Sequence, residues 1–476
     1  MLPPLIRRQQ REGAARSKER GFTLALVTVS LVAIIAMAAL SIDIGTLYQA
    51  KAEAQRAADG AALTAARVIS ISGITGDPTN GALDTSWASI CGGATSPASL
   101  AAINVGQQDL VSGVAPTITV NYGAGGAGTF TADCTAAGTN FGVNPVVNVT
   151  AQRTNLPIFF ARIFSLFGSS FAGTSVSATA SAEVYNPSQS GVLTAGMIPV
   201  QPRCVKPLIV ANFDPRNGGS PLVNASGTIV NPGINQINAG VIGETFTIRA
   251  DCVGGALNCN PTTPPNGNML ENPPAGTVFP TFYLDYIPAL VNGAPSAVPA
   301  CSTASTFQQA MGGCDQTTVY SCGVALATQA DMTINPGGTA GDTATAAQCL
   351  IHSTTGGQDT LAGGITPTFP FQIQAGASNP LLKVGVNTGD TITSSSSIVT
   401  LPIAYFNPGS GLVQGVNQPF ITIAGYLQVF VQSVDPATGN MVVTVLNVAG
   451  CGNSVAPGTA YVTGTSPVPV RLITTP

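Results

Sequence analysis

The pattern of apolar and polar positions divides the chain before any motif is read. Between Arg20 and Asp43 lie 22 residues without a charge. As a helix this run would rise about 33 Å at about 1.5 Å per residue, enough for one bilayer crossing. The next stretch, SIDIGTLYQAKAEAQRAADGAALTAARV (Ser41–Val68), places Leu47, Ala50, Ala54, Ala57, Ala58, Ala61 and Thr64 near one helical face. Lys51, Glu53, Arg56 and Asp59 lie around the rest. Its wealth of Ala, Gln, Glu, Arg and Leu predicts a helix that continues out of the membrane. The small-residue face reads as a solvated stalk or, because small residues permit close packing, as a docking surface for another single-span subunit.

Beyond residue 72 the period changes from helical to two. Thr117–Val120, Val146–Thr150, Ser175–Val184, Thr245–Arg249 and Ile421–Gln432 alternate, and further strand signals cover Ser397–Phe406, Pro419–Val434, Met441–Val448 and Val468–Ile473. Clusters of Gly, Pro, Asn, Ser and Thr separate them, the punctuation of half-buried strands joined by turns. Residues 156–167 interrupt this texture with a predicted helix carrying Phe159, Phe160, Ile163, Phe164 and Phe167. That helix either lies on a sheet as core or dips into the outer leaflet with Arg153 and Arg162 near head groups. Strand signal stops at Tyr185–Gly196, which predicts a domain boundary there. The expected organisation is a basic head (1–20), a transmembrane helix (21–43), a periplasmic helix extension (44–72), a β-rich domain with the 156–167 helix (73–190), and a loop-rich, Cys-containing β domain (191–476). The fold class is α+β, mostly β, with a long N-terminal helix ahead of disulfide-stapled extracytoplasmic domains.

Charge gives this arrangement a direction. Residues 1–20 sum to +4, whereas the rest of the chain, with 11 basic and 19 acidic residues, sums to −8. A basic head before an apolar span stays in the cytoplasm, so everything after Asp43 is expected in the periplasm. Charged residues make up only 8% of the chain, against roughly 25% in an average soluble domain, the balance of an exported β-rich protein. All ten cysteines follow the apolar run, as expected of disulfides formed in an oxidising compartment. Cys252 and Cys259 are expected to pair, because the loop between them contains Gly254-Gly255 and can turn tightly.

The N-terminus admits three readings. Gly21-Phe22-Thr23-Leu24 is similar to a prepilin processing site, but the fifth position after the Gly holds Leu26 where type IV pilins carry a Glu. Ala36-Met37-Ala38 has the small-x-small form of a signal peptidase site, yet the apolar run continues through Ala39-Leu40-Ser41-Ile42. A permanent anchor is the third. Asp43, Gly45, Tyr48, Gln55, Ala57, Ala58, Asp59, Ala61, Ala62 and Leu63 stand in the order and spacing of a known signature. On these residues the chain resembles the TadE/TadG-like Flp pilus-assembly proteins. A looser likeness runs from Val146 to Gly168 and through SVSATASAEV. The resemblance implies a single-span inner-membrane accessory of the tight-adherence system. It would work by binding other single-span pilus-assembly subunits, and pilin or secretin components. The missing acid at Leu26 leans toward scaffold rather than filament subunit. The alternatives are a secreted adhesin released near Ala38 and a minor pseudopilin processed after Gly21.

Chemistry is sparse. The single histidine, His352, limits any His-bearing triad and rules out a three-His zinc site. Asp84-Thr85-Ser86-Trp87-Ala88 lacks the last Ser of an Asp-x-Ser-x-Ser metal site and follows no apolar strand. No phosphate loop is present, and the acidic exported portion argues against nucleic acid. The expectation is a binding protein, not an enzyme, with no catalytic residue, cofactor, metal or small-molecule substrate.

Overall fold

The computed structural model describes the chain outside residues 1–5, 73–83, 126–128, 139–140, 143, 158–159, 161–173, 187–199, 218–219, 225–226, 228, 232, 234–239, 251–282, 292–304, 328–335, 370, 405–419, 452–461, 465 and 475–476. One helix, α1 (Ile6–Ile71), runs from the basic head through the apolar run and the Ala-rich extension. It contains no proline and only four glycines, so nothing breaks its hydrogen-bond ladder. Among the described residues it is the one helix long and apolar enough to cross a membrane.

Contacts divide the chain into two units. One comprises Met1–Ala58, Gly106–Thr119 and Thr150–Thr179; the other comprises Asp59–Val105, Val120–Val149 and Ala180–Pro476.

Two short helices, α2 (Asp84–Cys91) and α3 (Pro97–Gln108), precede β1 (Thr117–Ala124), β2 (Pro145–Leu156) and β3 (Thr174–Val184). These strands form a sheet of order β1-β2-β3-β16, where β16 (Val470–Ile473) comes from the far end of the chain. In register, Arg471 lies opposite Glu183 and forms an ion pair with it. The Arg471 guanidinium also sits 5.0 Å from the Tyr185 ring. Every strand that the alternation predicts here is present. β2 is still strand at Leu156, so the helix expected over 156–167 does not begin there; residues 158–159 and 161–173 lie outside the described residues.

The second architecture is a closed ring. β5 (Leu208–Val210), β6 (Thr245–Ala250), β7 (Tyr283–Pro288), β12 (Ile398–Ala404), β13 (Phe420–Val434) and β14 (Met441–Gly450) pair in the order β12-β5-β7-β6-β14-β13, and β13 pairs back onto β12. The β6–β7 and β5–β12 pairs are parallel and the others antiparallel. Closing the sheet on itself removes the open edges that a flat six-stranded sheet would expose. Two helices, α4 (Thr306–Gly312) and α5 (Pro336–Leu350), contribute Met311, Ala347 and Leu350 to an apolar cavity lined also by strand residues such as Ile248, Leu401 and Val443. α4 starts on a capping box in which Ser305 and Gln308 each accept from the other's backbone N–H. β8 (Ala325–Ala327) extends the ring from β13. A pair, β4 (Val200–Pro202) with β15 (Val462–Gly464), and a small sheet of β9 (Thr360–Leu361), β10 (Ile373–Gln374) and β11 (Thr391–Ile392) complete the strands.

Disulfides join Cys91 to Cys134, Cys204 to Cys314 and Cys322 to Cys451, and Cys349 is bonded as well. Cys451, isolated near the end of the sequence, is thus tied to the Cys-rich region. Cys252 and Cys259 lie outside the described residues.

Candidate interaction surfaces on the long helix

The signature residues separate into covered and open sets once α1 is seen in place. Asp43, Ala57, Ala58, Ala61 and Ala62 are buried, together with Ala50, Ala54, Ala65 and Ala66. The chain itself covers the small-residue face, so that face is neither a solvated stalk nor a free seat for another subunit's helix. The sequence signal was sound, since small residues mark close packing, but it does not say which chain does the packing. Gly45 and Tyr48 are exposed, Tyr48 by 74%. A Cβ built on Gly45 meets nothing. Gln55, Asp59 and Leu63 sit between these extremes.

Within the first unit, polar groups fix β3 along the helix. Lys51 Nζ donates to the Ser177 carbonyl and Gln55 Nε2 to the Thr179 carbonyl, the latter at 3.3 Å. Glu53 Oε2 accepts from the Ser112 backbone N–H at 2.7 Å and Oε1 from Gln49 Nε2 at 3.0 Å. These two bonds, the Ser112 one first, hold the Glu53 carboxyl below its ordinary range. Asp43, at the upper end of the apolar run, is only 3% exposed and its Oδ2 accepts from the Phe160 backbone N–H at 3.0 Å.

Within the second unit, the last turn of α1 is clasped by buried polar groups. Ser70 Oγ donates to the Val468 carbonyl at 3.0 Å, and Asn447 Nδ2 donates to the Ser70 carbonyl and to Gln428 Oε1. Gln428 Nε2 passes the chain on to Ser466 Oγ at 2.9 Å. Ser70, Gln428, Asn447 and Ser466 are all buried, where such groups stabilise a fold only when each finds a partner. The helix is thereby tied to β13, β14 and the C-terminal segment.

Below Asp43 the surface is of another kind. Nearly every side chain from Phe22 to Ile42 is exposed, including Phe22, Leu24, Val29 and Met37. An apolar surface of this extent on a soluble protein marks a lipid or protein contact. Among the described residues no group of three or more His, Cys, Asp or Glu side chains is placed to hold a metal ion. His352 lies at the start of a short turn in left-handed backbone (φ 58°), with its backbone N–H on the Cys349 carbonyl. Asp84 opens α2.

The covered face yields a direct expectation. Ala57→Leu or Ala61→Leu inserts bulk where the helix has none to spare and should lower the unfolding free energy by about 1–3 kcal/mol. Arg56→Ala, on the wet side, should leave the urea midpoint unchanged. Equal midpoints for all three variants would contradict the packing described.

No curated protein and no solved structure matches the chain. Residues 21–68 match the family described as "Putative Flp pilus-assembly TadE/G-like". The matched segment begins at the apolar run and ends at the last turns of α1, and over those residues the chain is similar to the TadE/G-like Flp pilus-assembly proteins.

Proposed function

We propose that the protein is a single-pass, membrane-anchored scaffold of Flp pilus assembly that acts by binding other proteins rather than by catalysis. The head, 1–20, faces the cytoplasm, the apolar part of α1 crosses the inner membrane, and the sheet and ring stand in the periplasm. The observation that carries this reading is the coincidence of the family match with a helix that is lipid-ready below Asp43 and clasped into the chain's own body above it. The partners are other single-span pilus-assembly subunits and pilin or secretin components, met through the open side of α1 at Gly45 and Tyr48 and through the β-rich body.

The open side supplies the test. Tyr48→Ala and Gly45→Leu should leave the urea midpoint unchanged, since neither position packs inside the chain. Co-purification with the other single-span subunits should fall about tenfold, the effect of losing about 1.4 kcal/mol at a contact. Surface attachment and pilus number should fall with it. Pili and attachment at the parental level in both variants would overturn the proposed contact.

A further inference from the structure

The geometry points to a redox latch on the ring: the Cys204–Cys314 bridge keeps Lys206 inside, and its reduction by a dithiol frees the end of α4 and lets the amine out to water. The bridge and the amine are adjacent rungs between the same two segments. Cys204 bonds Cys314, and two residues on, Lys206 Nζ donates to the carbonyl of Gly313, the residue before Cys314. Lys206 itself stays with the ring, because its backbone N–H bonds the Thr400 carbonyl on β12 at 2.9 Å. The segment across from it makes bonds that would travel with it. Gly313 N–H bonds Gln309 within α4, and Asp315 Oδ1 accepts from the Thr317 and Thr318 backbone in the next turn. The bridge, the amine and the apolar packing of Met311 fasten that segment to the ring.

Access and backbone single out this bridge. Cys91, Cys134 and Cys322 are buried, whereas Cys204 and Cys314 are both half-buried, and exchange begins with a thiolate reaching a bridge sulfur. Cys204 is also held in left-handed backbone (φ 57°), which a residue with a Cβ rarely adopts. Opening the bridge lets it relax. In the exchange one reductant sulfur attacks a bridge sulfur, and the second then attacks the mixed disulfide. The products are two protein thiols and a cyclic reductant disulfide, with no net change in protons below the thiol range. Lys206 adds one proton to that balance. Burial pushes its amine down to about 7, and among the described residues the cavity faces it with Leu, Ile, Val, Met and Ala alone. The titratable side chains of the lining elements are engaged elsewhere. Asp342 of α5 accepts from Gln308 Nε2 at 2.8 Å, Arg249 of β6 lies over the Tyr283 ring, and Tyr426 of β13 donates to the Tyr320 carbonyl. In water the amine returns to its ordinary range and takes up a proton.

The test equilibrates the full chain in detergent with graded ratios of reduced to oxidised dithiothreitol, quenches in acid, and reads each cysteine by alkylation and peptide mass spectrometry. Cys204–Cys314 should open at a ratio about tenfold lower than Cys91–Cys134 requires. Its exchange constant should fall about threefold from pH 7 to pH 8, because the reduced state keeps the Lys206 proton while the oxidised state loses it, and thiol ionisation offsets part of the fall. In Lys206→Met it should not fall. A second reading needs no variant. In the oxidised parent at pH 8, acetic anhydride should label Lys206 about tenfold more slowly than the exposed Lys383, and after reduction at the same rate. The latch is overturned if the bridge opens no sooner than Cys91–Cys134, if the parent's constant stays level between pH 7 and pH 8, or if reduction leaves the labelling of Lys206 unchanged.

Discussion

Replacing Cys322 and Cys451 together by alanine should lower the unfolding free energy of the β-rich body by about 4–5 kcal/mol, the chain-entropy value for a loop of this size. The bridge closes a sequence separation of 129 residues with its Cα atoms 5.3 Å apart. It fastens the approach to β8 beside the end of β14, where Cys451 N donates to Ala424 and Gly323 N to Ile423. Backbone bonds at a ring margin fray unless something holds the two strands together. The double variant is preferred to a single one, which would leave a reactive thiol among other cysteines. Urea unfolding of detergent-solubilised protein reads the loss, and a change below about 1 kcal/mol would show that the bridge adds nothing the ring does not already supply.

Lys206→Met should change how stability depends on pH. Lys206 is 5% exposed and lines the apolar cavity of the ring with Leu208, Met311, Val399, Leu401 and Val429. Its Nζ donates to the Gly313 carbonyl. Burial pushes the amine down to about 7 from its ordinary 10.5. In the window between those values the unfolded chain binds a proton that the folded chain does not, so stability falls as pH drops from 10.5 toward 7 and levels off below. The full penalty is about 5 kcal/mol, reached at about pH 6; at pH 9 roughly 2 kcal/mol of it has accrued. Methionine fills a similar volume and cannot titrate, but it leaves the Gly313 carbonyl without this donor, a pH-independent loss of about 1–3 kcal/mol. The advantage of Lys206→Met over the parent should therefore be about 2–3 kcal/mol larger at pH 6 than at pH 9. Parallel stabilities across that range would mean the amine stays charged in the folded state.

Sequence patterns reach some of these features and not others, for physical reasons. The apolar run, the Ala-rich helix and most long strands are legible because each is a local period of 3.6 or 2. Ser305 and Gln308 stand at capping-box spacing and could have announced α4 from sequence. Ring closure could not be read, since β5 and β12 pair through Val210 and Ile403, far apart in the chain and joined in parallel. The return of β16 to β3 is hidden in the same way. Lys206 gives no warning either: a lone lysine in QPRCVKPLIV looks like any solvated cation, and only the three-dimensional neighbours remove the water. The stripe of α1 is the most instructive case. Ala57 and Ala61 correctly announced close packing, yet the same residues would serve an intramolecular strand or a foreign helix equally well. Gly45 and Tyr48, in the same signature, keep their faces open.

The proposed anchoring requires α1 to remain whole, with its apolar part in the bilayer and its last turns clasped into the body. The first residue of the mature protein, read by terminal sequencing or intact mass from the membrane fraction of piliated cells, tests that most directly. The anchor reading predicts the basic head, residues 1–20, retained and the protein in the inner membrane. A chain beginning at Ala39 and recovered outside the membrane would contradict it, as would one beginning at Phe22 and recovered from sheared pili.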